Sequence, residues 1–255
     1  MILSGRLDLE IYRRENPDLA HLSSRELRSH FGQHGFRERR SFTRTHDAAS
    51  HFSMRWLRGD GIEIGAGSSP TPLFGGATAV LADSDPTLKY GGSRADSIFS
   101  IDDDNLAAAI GRTFDFVVAS HVLEHADSFI RAVKNTCDIV APGGVVYIVL
   151  PDIDFLHDRE WMPSFSFEHH VEEFSDRLVH AEMHDDLIKA EHRRLHGNDL
   201  QIPPDERFLH HKHNYRFHGW TKLLVEALTF LGTPATLADA GYGRNRYDCH
   251  YILLK

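Results

Sequence analysis

Gly61-Ile62-Glu63-Ile64-Gly65-Ala66-Gly67-Ser68-Ser69-Pro70 (GIEIGAGSSP, 61–70) carries the reading of the fold. The apolar run GIEI breaks into a turn with two glycines, the pattern of a buried strand ending in a tight bend. Glycine there permits unusual dihedrals and lets a ligand approach the backbone closely. Two readings stay open on this stretch alone: a ligand cradle, or a strand-to-helix turn that holds nothing. The third glycine of the dinucleotide fingerprint is missing, because the run ends in Pro70, and proline weakens a phosphate-on-helix reading.

Working outward, similar apolar runs recur. TAVLADSD (78–85) reads as a second strand ending in acids, and FDFVVASH (114–121) as a continuous apolar strand. CDIVAPGGVVYIVLPD (137–152) reads as a helix end, a Pro-Gly-Gly turn and a further strand. Continuous apolar strands separated by helical stretches indicate a parallel sheet covered on both faces, hence an α/β architecture. Ligands of such sheets bind outside the carboxyl ends of the strands, where the strand order reverses. Asp83 ends the second strand, eighteen residues after Gly65. A carboxylate there can accept hydrogen bonds from both ribose hydroxyls of a nucleoside. It can equally be a turn acid of DSDP. Asp102, in IDDD (101–104), is the matching choice for an adenine amino group, with a solvated turn before NLAAAI as the rival reading.

Composition sets the limits. The chain has 255 residues, 41% hydrophobic and 25% charged, which is ordinary for a globular protein. A formal net charge of −9 argues against nucleic acid as partner. Arg37, Arg39 and Arg40 make a local basic patch that reads as a solvated face. The two cysteines, Cys137 and Cys249, form no CxxC, which disfavours a disulfide framework or a cysteine zinc site and fits a reducing, cytoplasmic compartment. MILSGRLDLEIYRREN (1–16) has no apolar run of signal-peptide length, and no stretch reaches the length of a membrane span.

Residues 1–45 read as a helical arm, with Ser23 or Ser24 capping a second helix and Gly35 stopping it. Tyr12, Leu19, Leu22, Leu27, His30 and Phe31 supply its apolar face. The arm is too short for a core of its own, so it packs on the main domain or on a partner chain. The main domain spans 46–255. Near its end, GWTKLLVEALTFLG is an amphipathic helix, followed by the strands ATLADAGY and RYDCHYILLK.

Taken in order, GIEIGAG, the acid of LADSD, FDFVVASHVLEH, and APGG before a strand ending LPD resemble the class I S-adenosylmethionine-dependent methyltransferases. GIEIGAGSSP, SHVLEH, LPDIDF and His218-Gly219-Trp220-Thr221 further resemble methyltransferases associated with bacterial polysaccharide and glycosyltransferase genes. YRRENPDLAHL…LRSHFGQHGFRERRSF resembles a short module found beside glycan-modifying enzymes. The resemblance implies a Rossmann-like seven-stranded sheet with its last pair antiparallel, and S-adenosylmethionine as cofactor. Glu63, Gly65, Ala66 and Gly67 would lie beside its methionine part, Asp83 at the ribose and Asp102 at the adenine. Ser120 and His121 would flank the reacting methyl group. The implied substrate is a sugar hydroxyl of a glycan or glycan precursor. A homo-oligomer, or a glycosyltransferase bound through the arm, is the implied macromolecular partner. Pro70 and Pro72 depart from the pattern and bear on the loop after Gly67.

A hydroxyl nucleophile must lose a proton, and histidine titrates near neutrality. His121, His125 and His218 are the candidate bases, with Asp152 and Asp154 at the same edge to orient a base or bind a sugar. His125 and Glu124 have the rival role of fastening the following helix to the sheet. Residues 153–218 form a histidine-rich insertion where this superfamily places substrate recognition. His213, Tyr215 and Trp220 are its substrate candidates, with Trp161 and Phe165 as further aromatics. His210 and His211 read as solvent-facing. His180/His184 and His192/His196 have i,i+4 spacing, but HAEMH lacks the glutamate of a zinc hydrolase. A divalent metal is possible but not favoured. Glu168, His169, His170, Glu172, Glu173, Asp185 and Asp186 are the nearby donors, and solvated helix faces account for most of them. The rival functions are methylation of another small molecule at oxygen or nitrogen, a non-catalytic module binding cofactor or partner, and a histidine-based metalloprotein.

Overall fold

The computed structural model describes residues 9–35, 48–67, 70–84, 95–155, 165–176, 183–184, 186–187, 190, 211–242 and 247–255. Seven strands form one sheet: β1 (Asp60–Ile64), β2 (Thr78–Asp83), β3 (Ser97–Ile98), β4 (Phe114–Ser120), β5 (Val140–Pro151), β6 (Thr236–Tyr242) and β7 (Asp248–Leu254). Their order is β3-β2-β1-β4-β5-β7-β6. Pairings are parallel except that β7 lies antiparallel between β5 and β6. The chain winds outward from β1 to β3, then returns to place β4 against β1. The reversal therefore lies between β1 and β4, where open α/β sheets bind ligands. This is the seven-stranded arrangement that the resemblance implies, with the antiparallel closing pair.

Alternation along β4 divides the core. Val117 and Ala119 face a layer built with Phe129, Val133, Trp220 and Leu224, from helices α5 (Phe129–Ile139) and α7 (Phe217–Leu231). Phe116 and Val118 face the opposite layer, where Phe52 and Leu57 join Tyr147 and Ile252. Phe52 belongs to α3 (Ala48–Trp56). Helix α5 starts at a Ser128 cap, and α7 stops at Gly232, which takes the left-handed conformation at φ 59. Helix α4 (Leu106–Ile110) lies beside α5.

The expected Pro-Gly-Gly turn is absorbed into β5, which starts at Val140 directly after α5. Pro142-Gly143-Gly144 produce a shift of register against β4 between Phe114 and Phe116, with Gly143 at φ 80. Glycine serves the irregularity, and the ladder resumes beyond it.

In the arm, α1 (Leu9–Glu15) and α2 (Ser24–His30) pack together. Ser23 is the cap of α2, and Glu26 completes a reciprocal capping box. Tyr12, Leu19, Leu27 and Phe31 cluster with Met54 and Phe74, so the arm's apolar face is used within the chain. The basic patch of Arg37, Arg39 and Arg40 lies outside the described residues. Cys137 and Cys249 are free and buried. Among the described residues no helix is long and apolar enough to cross a membrane.

Candidate active site at the carboxyl edge

Strand β1 delivers the glycine turn to the carboxyl edge. The N–H groups of Gly65 and Ala66 both donate to Ala82 O, at 2.8 and 3.1 Å, which fastens the turn to β2. Gly65 has φ 72, and a Cβ there would come within 2.2 Å of Val122 Cγ2. Gly67 has φ 51, and a Cβ there would meet no described residue within 4 Å. Gly65 is thus required by packing, whereas Gly67 presents bare backbone of the kind a ligand approaches.

Asp83, buried at the end of β2, accepts a hydrogen bond from Gly67 N at 3.0 Å through Oδ2. Its other oxygen has no hydrogen bond to a described residue. The carboxylate fixes the turn with one oxygen and retains an acceptor for vicinal hydroxyls. Asp102 Oδ1 accepts from Asp127 N at 3.0 Å, which links the loop after β3 to the loop after β4.

Glu63 is buried, and its carboxylate receives Thr71 N at 3.0 and 2.9 Å and Thr71 Oγ1 at 2.9 Å. Thr71 sits between Pro70 and Pro72, so its N–H is the one backbone donor of that tripeptide. The proline-rich loop is therefore pinned to β1. Burial pushes the Glu63 carboxyl up to about 7, against the hydrogen bonds from Thr71.

At the end of β4, Ser120 is half-buried and pairs with Val149 of β5. His121 has φ 55, and it is the sole non-glycine residue at positive φ among the described residues. Its N–H donates to Val149 O at 3.0 Å. The twisted backbone aims the ring along the edge. There Nε2 lies 3.1 Å from Asp248 Oδ1, and Nδ1 lies 3.4 Å from Glu124 Oε1. Burial opposes a charge on the ring, but the hydrogen bonds to Asp248 and Glu124 overcome it and raise His121 to about 10. The ring is an imidazolium at neutral pH, so His121 alone does not supply the neutral base expected from the sequence.

Glu124 is fully buried in a short 3₁₀ turn, Leu123–His125. Burial works against its charge, yet the bond to His121 and the nearby His125 and His211 hold its carboxyl below the usual range. His125 Nε2 lies 3.8 Å from Glu124 Oε1, and the His125 and His211 ring centroids are 4.7 Å apart. His211 is thus half-buried against His125 and does not face solvent as expected. His210 lies outside the described residues.

Several sequence candidates prove to be framework. Asp152 is buried: Oδ1 accepts from Asp154 N at 3.0 Å, and Oδ2 accepts from Phe217 N at 3.2 Å and Tyr242 Oη at 3.1 Å. It closes the first turn of α7 and is not positioned as a catalytic group. Trp220 is fully buried and donates from Nε1 to Pro151 O at 2.7 Å, which removes it from substrate contact. Tyr215 Oη lies 2.7 Å from His170 Nε2 and donates to Phe165 O at 2.8 Å. His213 is fully buried, and burial pushes its pKa down to about 3. Neither His213 nor Tyr215 is available to a substrate. His218 is exposed on the first turn of α7 beside Phe217, and no hydrogen bond joins it to a described residue. Asp154 is exposed and accepts from Arg216 Nε with both oxygens, each at 3.0 Å.

Two edge residues escaped the sequence reading. Asp248 opens β7 and pairs with Pro151, and Tyr247 precedes it with its ring 6.0 Å from the His121 ring. The signal was present: a last strand antiparallel to β5 must begin at the carboxyl edge.

A second cluster lies in the insertion. On α6 (Phe167–Ser175), Glu173 Oε1 meets Nε2 of His169, His184 and His213 at 2.7, 3.0 and 2.8 Å. Burial opposes the charge of Glu173, but the four surrounding histidines hold its carboxyl far below the usual range. His169, His170, Glu173 and His184 are therefore interior, not the solvated helix face expected. Trp161, His180, Asp185, His192 and His196 lie outside the described residues.

Residues 42–185 match the model of a family described as a methyltransferase domain. No curated protein matches the sequence. Among solved structures, the chain is similar to a possible histamine N-methyltransferase of Thermotoga maritima (13% identity, 95% of this chain and 99% of that one, TM-score 0.45). It is similar also to the N-methyltransferase NodS of Bradyrhizobium japonicum (14%, 88% and 98%, TM-score 0.38). A third is the CurJ carbon methyltransferase (16%, 82% and 53%, TM-score 0.43), of whose length the chain spans about half.

Proposed function

The chain belongs to the methyltransferase domain family, whose donor is S-adenosylmethionine, and on that premise we propose that it methylates a sugar hydroxyl of a glycan or glycan precursor. The observation that carries this reading is the His121–Asp248–Glu124 cluster at the carboxyl end of β4. With the ring protonated on both nitrogens, the three groups hold a net charge of −1. That charge suits a sulfonium neighbour, and the cluster has room for one further proton as a coupled unit.

The cofactor supplies an activated methyl group on a cationic sulfur. The residues that fit it are those at the reversal of strand order. Gly67 offers open backbone, and Asp83 keeps an oxygen for the ribose hydroxyls. Asp102 lies on the adenine side, and Glu63 holds the loop that follows the turn. Ser120 and His121 border the reacting carbon, so the acceptor oxygen enters between them and β7. Bound there, S-adenosylmethionine would supply the methyl group for displacement by the acceptor oxygen, and the edge would contribute mainly by holding the acceptor in position. The His121–Asp248 pair would take up the proton that the hydroxyl loses.

The sugar rests on the surface beside that cluster. Tyr247 is 36% exposed next to His121, and Asp154 and Arg216 are exposed at the same end of β5. An aromatic face flanked by hydrogen-bonding charges fits a polyol better than an apolar acceptor. Calorimetry with S-adenosylmethionine and its demethylated product tests the cofactor assignment, and mass spectrometry of reactions with sugar acceptors tests the substrate. A mass gain of one methyl on a nitrogen-only acceptor, with none on any sugar, would remove the hydroxyl reading.

A further inference from the structure

We propose that His169, Glu173, His184 and His213 hold a divalent transition-metal ion, best matched by zinc, in a closed structural site that fastens the insertion to the sheet edge. The four ligand atoms all lie within 4.8 Å of one another. Tetrahedral zinc with nitrogen and oxygen ligands sets neighbouring ligand atoms about 3.3 Å apart. Four of the six ligand pairs lie 2.7 to 3.1 Å apart and need to open by about a few tenths of an ångström, and the other two, both from His213 to a histidine, lie within 4.8 Å.

Hydrogen bonds alone serve this geometry badly. A neutral imidazole carries one N–H. For all three Nε2 atoms to donate to Glu173 Oε1, every ring must take the Nε2–H tautomer. His169 and His184 would then set two donors against each other across 3.1 Å. If one of them accepts instead, it no longer donates to the carboxylate. With lone pairs turned inward, three nitrogens and one oxygen become four donors around a single point. The Nδ1 atoms of His184 and His213 lack partners in either arrangement and do not decide between them. Among the described residues no lysine or arginine pairs with Glu173, so histidine alone faces the carboxylate.

The surroundings match a resident ion. His170 Nδ1 lies 2.8 Å from Glu173 Oε2, and Tyr215 Oη lies 2.7 Å from His170 Nε2. Such outer contacts orient ligating groups. The side chains of Glu173, His184 and His213 are fully buried and that of His169 is 13% exposed. Four protein ligands and no solvent-facing position make the site structural and not catalytic. His213 and Lys212 donate their backbone N–H groups to Glu124 O at 3.1 and 2.8 Å, so the site braces the turn that carries Glu124.

The test uses the full chain without a histidine tag, loaded with zinc alone and then passed through gel filtration. About one zinc per chain is expected to remain, falling below about a tenth in His184→Ala and staying near one in His34→Ala, a histidine exposed on the arm. Full retention by His184→Ala, or wild-type protein that emerges without zinc, overturns the proposal. X-ray absorption of the wild-type zinc form covers the case in which the variant does not fold. A shell of three imidazoles and one oxygen supports the site, and fewer than three imidazoles, or a sulfur ligand, overturns it.

Discussion

The carboxyl edge and the insertion cluster are built from the same materials, histidine and carboxylate, and differ in access. At the edge, His121 is bound by Asp248 and Glu124, its side chain is 36% exposed, and a Cβ on Gly67 of the β1 turn would meet no described residue within 4 Å. In the insertion, Glu173 is enclosed by four histidines. The open centre can bring charged groups to a reacting molecule. The closed one can only hold the chain in place. Residue type gives no means of telling these apart, whereas burial and the number of directions left unfilled do.

Substitutions break or sharpen that contrast. The largest effect is expected at His121→Asn, chosen because asparagine tolerates the left-handed backbone. Turnover should fall roughly 10²–10⁴-fold, with the S-adenosylmethionine dissociation constant from calorimetry unchanged within about twofold. Equal losses in turnover and cofactor affinity would show that the edge cluster serves only to hold structure. Next is Glu173→Ala, which leaves the buried histidines without their shared anion. It should cost about 3–5 kcal/mol in chemical denaturation; a variant as stable as wild type would mean that the closed cluster holds nothing together. Asp83→Ala removes charged hydrogen bonds worth about 1.5–3 kcal/mol. It should weaken cofactor binding about 10- to 100-fold with turnover at saturation largely kept, and an unchanged dissociation constant would refute the ribose assignment.

The smallest effects lie in the pH dependence of stability. His121 is raised from 6.5 to about 10, so the native state binds the extra proton across that window. Its contribution is complete below 6.5 and lost as pH rises towards 10. Glu63 is also raised, from 4.5 to about 7, so its contribution is lost between those values as pH rises. Denaturation midpoints of His121→Asn and Glu63→Gln against pH should therefore flatten in two different windows. Identical profiles for both variants and wild type would contradict these environments.

The sheet was legible because GIEI, TAVLAD, FDFVVAS and VVYIVLP are continuous apolar runs, which a parallel sheet covered on both faces requires. The cap of α2 was legible to within one residue, Ser23 or Ser24, because a serine before a helical run marks a start, and the structure takes Ser23. The site was only partly legible. Gly67, Asp83 and His121 sit at strand ends, where position in the chain fixes position in the fold. Asp152, Trp220 and Tyr215 sit equally near the edge, yet their polar atoms are spent on Phe217, Pro151 and Phe165. Whether a polar atom is already engaged depends on contacts between segments far apart in sequence. His213 and Glu173 are 40 residues apart and meet at 2.8 Å, which no local pattern announces.

The position of β7 has a temporal consequence. Asp248 completes the edge cluster, and it arrives on a strand that must insert between β5 and β6. Pairings over such sequence separations form late, because the closure entropy comes before the gain. The glycine turn, Asp83 and His121 can assemble from β1, β2 and β4 without it. On the proposed function, the strand that closes the sheet is therefore also the one that completes the acceptor side of the edge, so a perturbation of β7 should weaken the His121 cluster while leaving the glycine turn and Asp83 in place.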